Sequence, residues 1–105
     1  MKIFLMGKPY TIRKVTVEAC LDSRNAGHID HKSRVITIDT DCTSMIEVLF
    51  HEIAHVYLRS LRSNLPDTME GQCDMYAFIM DDIYYHNGTD IFAKIHDFLI
   101  GGRND

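Results

Sequence analysis

The stretch LFHEIAHVYL, residues 49–58, carries two histidines four positions apart and a glutamate directly after the first. On an α-helix, His51 and His55 would lie about 40° apart around the axis and about 6 Å apart along it, so both imidazoles could reach one metal ion. Glu52 would lie about 100° from His51, where its carboxylate can contact a water on that ion without ligating it comfortably. The spacing predicts a zinc site with a general base. The alternative is a histidine pair exposed on an amphipathic helix.

A third ligand is expected downstream, because catalytic zinc sites usually take three protein ligands and leave one position for water. The segment MEGQCDMYA, residues 69–77, carries Glu70 and Asp74, which would share a helix face with Asp81. We predict that Glu70 is the ligand and that Asp74 holds the ring N–H of a ligand histidine. The swapped assignment stays open. A capping box of Asp67 with Glu70 and a solvated acidic face are further alternatives.

The helix that carries the histidines is predicted to run from Met45 to about Leu61. Ser44 would be its N-cap, forming a capping box with Glu47 at the third helical position, and Asn64 would take the left-handed C-cap. Its apolar stripe would lie roughly opposite the histidines and pack into the core, and consists of Ile46, Leu49, Ile53 and Val56.

Strands are predicted in the first forty residues, where β-branched residues alternate with polar ones at 3–5 and 10–19. A hairpin should follow, with a short arm at 27–30, a turn at 31–33 and a strand at 34–39. The sum is about three antiparallel strands. The hairpin histidines, His28 and His31, are interpreted as surface or turn residues, although one of them could approach the metal.

Two more helices are expected after the first. One would run from Asp67 to about His86 and end at Asn87-Gly88, and the other from Asp90 to about Ile100. The order of strands before helices predicts an α+β fold, in which a small antiparallel sheet of about three strands is covered on one face by three helices. We expect residues 1–105 to form a single domain.

Composition narrows the possible functions. The chain has 105 residues and a formal net charge of −4, and its lysines and arginines lack the clustered basic footprint that nucleic-acid binding requires. Three widely spaced cysteines are typical of a reduced intracellular protein. The apolar start is too short for a signal peptide, and no run approaches the roughly 18 apolar residues of a membrane span. We therefore expect a cytoplasmic protein that binds neither nucleic acid nor membranes.

The two motifs together resemble a known family. HEIAH on one helix, followed by EGQCD on the next, is similar to the E-x-x-x-D arrangement of the gluzincin class of zinc metallopeptidases. The predicted layout resembles the compact ImmA/IrrE-like and phage-encoded minimal metallopeptidases, and GHIDHKSRVITID resembles the hairpin before their active-site helix. The resemblance covers roughly residues 10–86.

What the resemblance implies is a zincin-like minimal core with Zn²⁺ as cofactor. It would make His51, His55 and Glu70 the zinc ligands, Glu52 the general base and Asp74 an outer-shell carboxylate. The implied activity is hydrolysis of peptide bonds in a protein or peptide substrate by attack of zinc-bound water, assisted by Glu52. The resemblance assigns no tyrosine, histidine or arginine of this chain as the group that stabilises the oxyanion.

A second hypothesis comes from the lack of an evident substrate-binding lobe. The protein would then be a non-catalytic zinc-binding regulatory or protein-interaction module. A third is a helix face that binds no metal. An open metal position beside a sheet edge, along which a peptide could add as a strand, would favour the peptidase. A site capped by the chain's own side chain would favour a structural metal.

Overall fold

The structure, a computed structural model, describes residues 1–15, 27–40, 44–62, 64 and 66–101. Strands precede helices along the chain, which confirms the α+β class. The elements are β1 Lys2–Leu5, β2 Lys8–Val15, β3 Gly27–Asp30, β4 Val35–Asp39, α1 Met45–Ser60, α2 Met69–Asn87 and α3 Ile91–Leu99. The strand predicted at 10–19 is seen as far as Val15, and its remainder lies outside the described residues.

The sheet agrees roughly with the predicted number of strands but is mixed rather than antiparallel throughout. It has four strands in the order β1-β2-β4-β3, and the central pair, β2 and β4, is parallel, whereas the pairs β1–β2 and β3–β4 are antiparallel. The chain therefore passes from β2 to the far edge and returns with β4 into the gap. Alternation reveals that a segment is a strand, but the choice of its neighbour is a long-range event that no local pattern records.

Both hairpins close with turns suited to their residues. The β1–β2 turn has two residues, Met6 at φ 52° and Gly7 at φ 74°, and positive φ at both positions matches the right-handed twist of the flanking strands. In the β3–β4 turn, Asp30 Oδ1 accepts hydrogen bonds from the backbone N–H groups of Lys32 at 3.0 Å and Ser33 at 3.2 Å. The bonds from Ser33 and Lys32 lower the pKa of Asp30, so its charged form holds this turn in shape.

The hydrophobic core lies between one face of the sheet and the three helices. Alternate residues of the strands point into it, as expected for a sheet covered on one face. The predicted α1 stripe is confirmed, with Leu49, Ile53 and Val56 buried and Ile46 packed at the margin. The remaining core residues are Ile3, Leu5, Tyr10, Ile12, Ile36, Ile38, Tyr57, Ile79, Ile83, Ile91, Ile95, Phe98 and Leu99.

The helix ends depart from prediction at three caps. Ser44 is the N-cap of α1, but its side chain makes no capping hydrogen bond. Thr68, rather than Asp67, is the N-cap of α2, and its hydroxyl accepts from the Gly71 backbone N–H at 3.0 Å. The predicted C-cap at Asn64 is wrong, because α1 ends at Ser60 and the left-handed residue after it is Arg62.

The carboxylate of Asp82 ties three elements together. It accepts hydrogen bonds from the Tyr57 hydroxyl and, at 3.1 Å, from the Met6 backbone N–H, and its other oxygen lies 3.3 Å from His86 Nε2. Tyr57 is fully buried, and burial together with the bond to Asp82 raises the pKa of its phenol. This cluster fixes α1, α2 and the β1–β2 turn relative to one another.

The two edge strands of the sheet, β1 and β3, differ in what lies beside them. On β1, the Phe4 N–H donates to Asn87 Oδ1 and the Asn87 amide donates back to the Phe4 carbonyl, both at 2.7 Å. This side chain stands where a neighbouring strand would pair, which covers the edge. Strand β3 forms the opposite edge, beside β4. In the described part of the chain, no helix is long and apolar enough to cross a membrane.

The substitution Tyr57→Phe tests the Asp82 cluster, because it keeps the ring and removes the hydroxyl. We expect the free energy of unfolding at pH 7 to fall by about 1–3 kcal/mol, the range for hydrogen bonds to charged or buried partners. The pKa of Tyr57 in the folded state lies above the ordinary tyrosine value of 10.0. The stabilisation from its protonated form is therefore present below pH 10.0 and is lost as the pH rises above that value.

Urea denaturation of both chains at neutral pH and above pH 10.0 would measure this difference. The matched control is Tyr76→Phe, at a tyrosine that is 49% exposed, for which we expect little change. Similar losses for the two substitutions would contradict the importance of the Asp82 cluster.

Candidate metal centre

The two predicted ligands meet on the exposed face of α1. His51 and His55 are both exposed, their Nε2 atoms lie 3.1 Å apart, and their rings meet edge to face with centroids 4.7 Å apart. The residues that bury α1 lie on the opposite side of the helix, as the apolar stripe predicted. Folding therefore leaves both imidazoles free to turn toward a common point.

The separation of these nitrogen atoms suits a shared zinc ion. Two ligands at the usual Zn–N distance of about 2.0–2.1 Å and a tetrahedral angle would have nitrogens about 3.3 Å apart. At the observed 3.1 Å, both could bind one ion with an N–Zn–N angle of about 100°. The pair thus fits the donor type and the spacing of two of the three protein ligands.

Glu52 is buried against the edge of the sheet. Glu52 is 8% exposed and lies beside Gly27 of β3. A β-carbon added to Gly27 would come within 3.3 Å of Glu52 Oε1 and 2.5 Å of Val48 Cγ1. The absence of a side chain at Gly27 is therefore what lets the strand backbone approach α1 closely. Glu52, the base predicted from the motif, therefore packs against the backbone of β3.

His31 is a further candidate residue, to which the motif assigns no role. It begins the β3–β4 turn, is partly buried, and its pKa is lowered by burial and by the neighbouring Arg59 and His55, while Glu52 acts in the opposite sense. The turn thus lies beside the same stretch of α1 as the predicted site. The position of His31 could have been predicted from the sequence, because residues 27, 29 and 31 share one face of an extended chain.

The predicted carboxylates lie at the start of α2. Glu70 is the second residue of this helix, and both Glu70 and Asp74 are exposed. Because Thr68 is the N-cap, Gly71 occupies the third helical position and the capping box proposed for Asp67 and Glu70 does not form. The Glu70 carboxylate is therefore not used in a capping box with Asp67.

No group of three His, Cys, Asp or Glu side chains that could hold a metal occurs among the described residues. The contact between α1 and α2 gives a physical reason. The Tyr57 ring packs on Phe78 at a centroid distance of 6.1 Å, and Glu70 lies eight residues before Phe78, or about 12 Å along the α2 axis. The structure brings His51 and His55 together, and Glu52, which lies between them in sequence, packs against Gly27 instead. The assignment of Glu70 or Asp74 as third ligand stays a prediction.

Helix α1 contacts different elements on its two flanks. Val48 and Glu52 face β3, whereas Tyr57 faces α2 on the other side of the helix. Asp74 lies one turn before Phe78 on α2 and therefore belongs to the side that contacts α1. The two histidines lie on the exposed face of α1 between these two flanks.

No protein-family model, curated protein or solved structure matches this chain. Any statement about its function therefore depends on the chemistry of the site itself.

The close approach of β3 and α1 predicts the effect of Gly27→Ala. The added methyl would meet Val48 Cγ1 at 2.5 Å and the Glu52 side chain at 3.2 Å, and a helical valine has little freedom to rotate away. We expect the free energy of unfolding to fall by about 1–3 kcal/mol, as for other overpacked contacts.

A double-substitution cycle with Val48→Ala isolates this contact. Removing the valine methyls should restore part of the stability lost in Gly27→Ala, so that the two changes combine to less than their sum. Denaturation curves of the four chains would give the coupling energy. Strict additivity would mean that the strand and the helix do not pack closely at this point.

Proposed function

We propose that the protein is a zinc-dependent metallopeptidase. The observation that supports this most directly is the pair of imidazole nitrogens 3.1 Å apart, together with the burial of Glu52, the residue that follows His51 in sequence. A separation of 3.1 Å is also that of a hydrogen bond between two neutral imidazoles, so the pair supports a metal site through its donor type and spacing taken together with the burial of Glu52. Together they match the division of roles in H-E-x-x-H sites.

Zinc is the cofactor that fits these donors. His51 and His55 would hold it through Nε2, and one carboxylate from α2 would complete the set. When bound, zinc supplies Lewis acidity that polarises a carbonyl group and makes water acidic enough to attack near neutral pH.

Glu52 acts as general base and then as general acid. Its carboxylate accepts a proton from the attacking water as the water oxygen bonds to the carbonyl carbon of the peptide. The proton then passes to the amide nitrogen, the C–N bond breaks, and the products are a carboxylic acid and an amine. Its partly dry setting beside Gly27 strengthens its interaction with any charge that develops nearby.

The substrate is a peptide segment in extended form. The edge strand β3 runs beside α1 at the site, and an exposed strand edge can accept a peptide as an added strand through backbone hydrogen bonds. The other edge, on β1, is covered by Asn87. This asymmetry favours β3 as the edge that receives substrate.

The second candidate is a zinc-binding module that acts through protein contact. Exposed apolar side chains on α2 favour it, because Met69, Tyr76, Met80 and Tyr84 recur at helical spacing along one face and Met69 is 81% exposed. Such a module would hold zinc and cleave nothing.

The substitution Glu52→Gln separates the two candidates. It removes the base without removing a ligand, so we expect zinc content to remain at one ion per chain while hydrolysis of a fluorescein-labelled unfolded casein falls at least about 100-fold. Zinc would be measured by elemental analysis of protein purified without chelator or nickel resin. Loss of zinc in Glu52→Gln would make Glu52 a ligand and refute its role as base.

The matched variant for this test is His51→Ala, which should lose both zinc and hydrolysis. A chain that holds stoichiometric zinc yet cleaves no unfolded protein, before or after Glu52→Gln, would instead support the interaction module.

The third ligand can be identified by comparing Glu70→Gln with Asp74→Asn. We expect Glu70→Gln to weaken zinc binding the more strongly, by at least about 100-fold, whereas loss of a carboxylate that only orients a ligand histidine costs about 10–100-fold. Competition with a chromophoric chelator would measure both affinities. Asp81→Asn, at the same acidic face, is the control. The reverse order of effects would identify Asp74 as the ligand.

A further inference from the structure

The outer edge of β1 offers backbone hydrogen-bonding groups at two residues, Lys2 and Phe4. Met1 and Ile12 exchange both backbone hydrogen bonds of a pair, at 2.7 and 3.1 Å. In this antiparallel ladder, residues 1, 3 and 5 therefore turn their backbone groups toward β2, and residues 2 and 4 turn theirs outward. The bonds between the Phe4 backbone and Asn87 agree with this alternation. The N–H and C=O of Lys2 thus point away from β2, and no described residue bonds them.

A cavity of about 470 Å³ lies beside Lys2. Its walls are the edge of β1, the end of α2 and helix α3, which contributes Ile91, Lys94, Asp97 and Phe98. Its volume is within the range of roughly 300–1,000 Å³ that is usual for sites that bind small molecules. The free backbone donor and acceptor of Lys2 therefore border a space that is large enough for a ligand.

The neighbouring position on the same edge shows which chemistry fits there. The carboxamide of Asn87 accepts from the Phe4 N–H and donates to the Phe4 carbonyl, both at 2.7 Å, as one residue of an adjacent strand would. A residue of an extended peptide can bind the N–H and C=O of Lys2 in the same way. Because Asn87 occupies the position at Phe4, such a peptide cannot continue along the edge past Asn87 and has to end beside it.

We propose that this cavity binds a short peptide of about three residues with free termini, whose middle residue pairs with the backbone of Lys2. The site is separate from the histidine pair on α1, and its occupation does not depend on the proposed peptidase function. The side chains of the first and third residues of the peptide point the same way as those of Met1 and Ile3, toward the helices. There Ile91 and Phe98 line the cavity and provide apolar contacts.

The charged side chains of α3 suit the two ends of such a peptide. Lys94 and Asp97 lie three residues apart on one face of the helix and both line the cavity, so they offer a cation to the terminal carboxylate and an anion to the terminal ammonium group. Lys94 lies 3.3 Å from Asp90, but these side chains are 61% and 63% exposed, and an exposed pair of this kind is weak. Its ammonium group can therefore turn toward a ligand.

Titration with the tripeptide Leu-Ala-Leu tests the site, with the amide chemical shifts of the isotope-labelled full chain as readout. We expect saturable shifts at residues 1–4 and 86–98, and none around His51 and His55. The proton spectrum of the peptide in the same sample checks that it stays intact.

Two altered peptides test the predicted contacts on the unaltered protein. Methylation of the alanine nitrogen removes the N–H that would donate to the Lys2 carbonyl, and we expect it to weaken binding about 3–10-fold, the usual effect of one hydrogen bond. Acetylation of the amino terminus together with amidation of the carboxyl terminus removes both charges, and should weaken binding at least about threefold.

The substitution Lys94→Glu tests the recognition of the carboxyl terminus by α3. It replaces an attraction by a repulsion, so we expect binding of Leu-Ala-Leu to weaken at least about threefold. The matched control is Lys32→Glu in the β3–β4 turn, which makes the same change of charge at an exposed residue outside the cavity and should leave binding unchanged.

The absence of saturable shifts, or shifts confined to α1 and β3, would overturn the proposal. Equal affinity for the methylated and the unmodified peptide would show that the Lys2 backbone is not the partner, and would overturn it as well. Equal binding by Lys94→Glu and Lys32→Glu would refute the role assigned to the charges of α3. None of these results bears on zinc binding or on Glu52, so failure here is distinct from failure of the proposed function.

Discussion

The contact between the edge strand β3 and helix α1 at Gly27 is the constraint on which the site depends. Without a side chain at this position, the strand backbone lies against Val48 and Glu52, and Glu52 becomes buried while its neighbours His51 and His55 stay exposed. The same approach carries the β3–β4 turn past the histidines. A single small residue thus lets Glu52 be buried while the two imidazoles remain exposed, as the proposed division between base and metal ligands needs.

The opposite edge of the sheet supplies rigidity. Asn87 completes the hydrogen bonding of Phe4 in β1, and Asp82 joins Tyr57 to the β1–β2 turn. These contacts anchor the C-terminal half of α2, which leaves its first turns, with Glu70 and Asp74 exposed, away from the anchored region. These hydrogen bonds lie at the β1 side of a small domain, so that the β3 edge on the other side could serve for binding.

Local structure could be predicted where a short-range rule decides it. The bounds of α1 agree to within one residue, and the hairpin of β3 and β4 follows from alternation around Asp30 and Ser33. The errors arise where two residues satisfy the same rule or where distance in sequence is large. Asp67 and Thr68 are both good N-caps, and local pattern does not choose between them. The parallel pairing of β2 with β4 depends on residues more than twenty positions apart.

In the candidate site, too, the features within one helix could be predicted and those that depend on packing between helices could not. The spacing of His51 and His55 is a property of one helix, so their convergence follows from the motif. The level of an acid on α2 depends instead on how two helices pack, and here Tyr57 meets Phe78 and Asp82. Because Glu70 and Asp74 lie four residues apart on one face, a shift of α2 by about 6 Å would bring one of them to the level of the other. Whether Glu70 or Asp74 serves as the proposed third ligand therefore depends on the register between α1 and α2, which the motif does not contain.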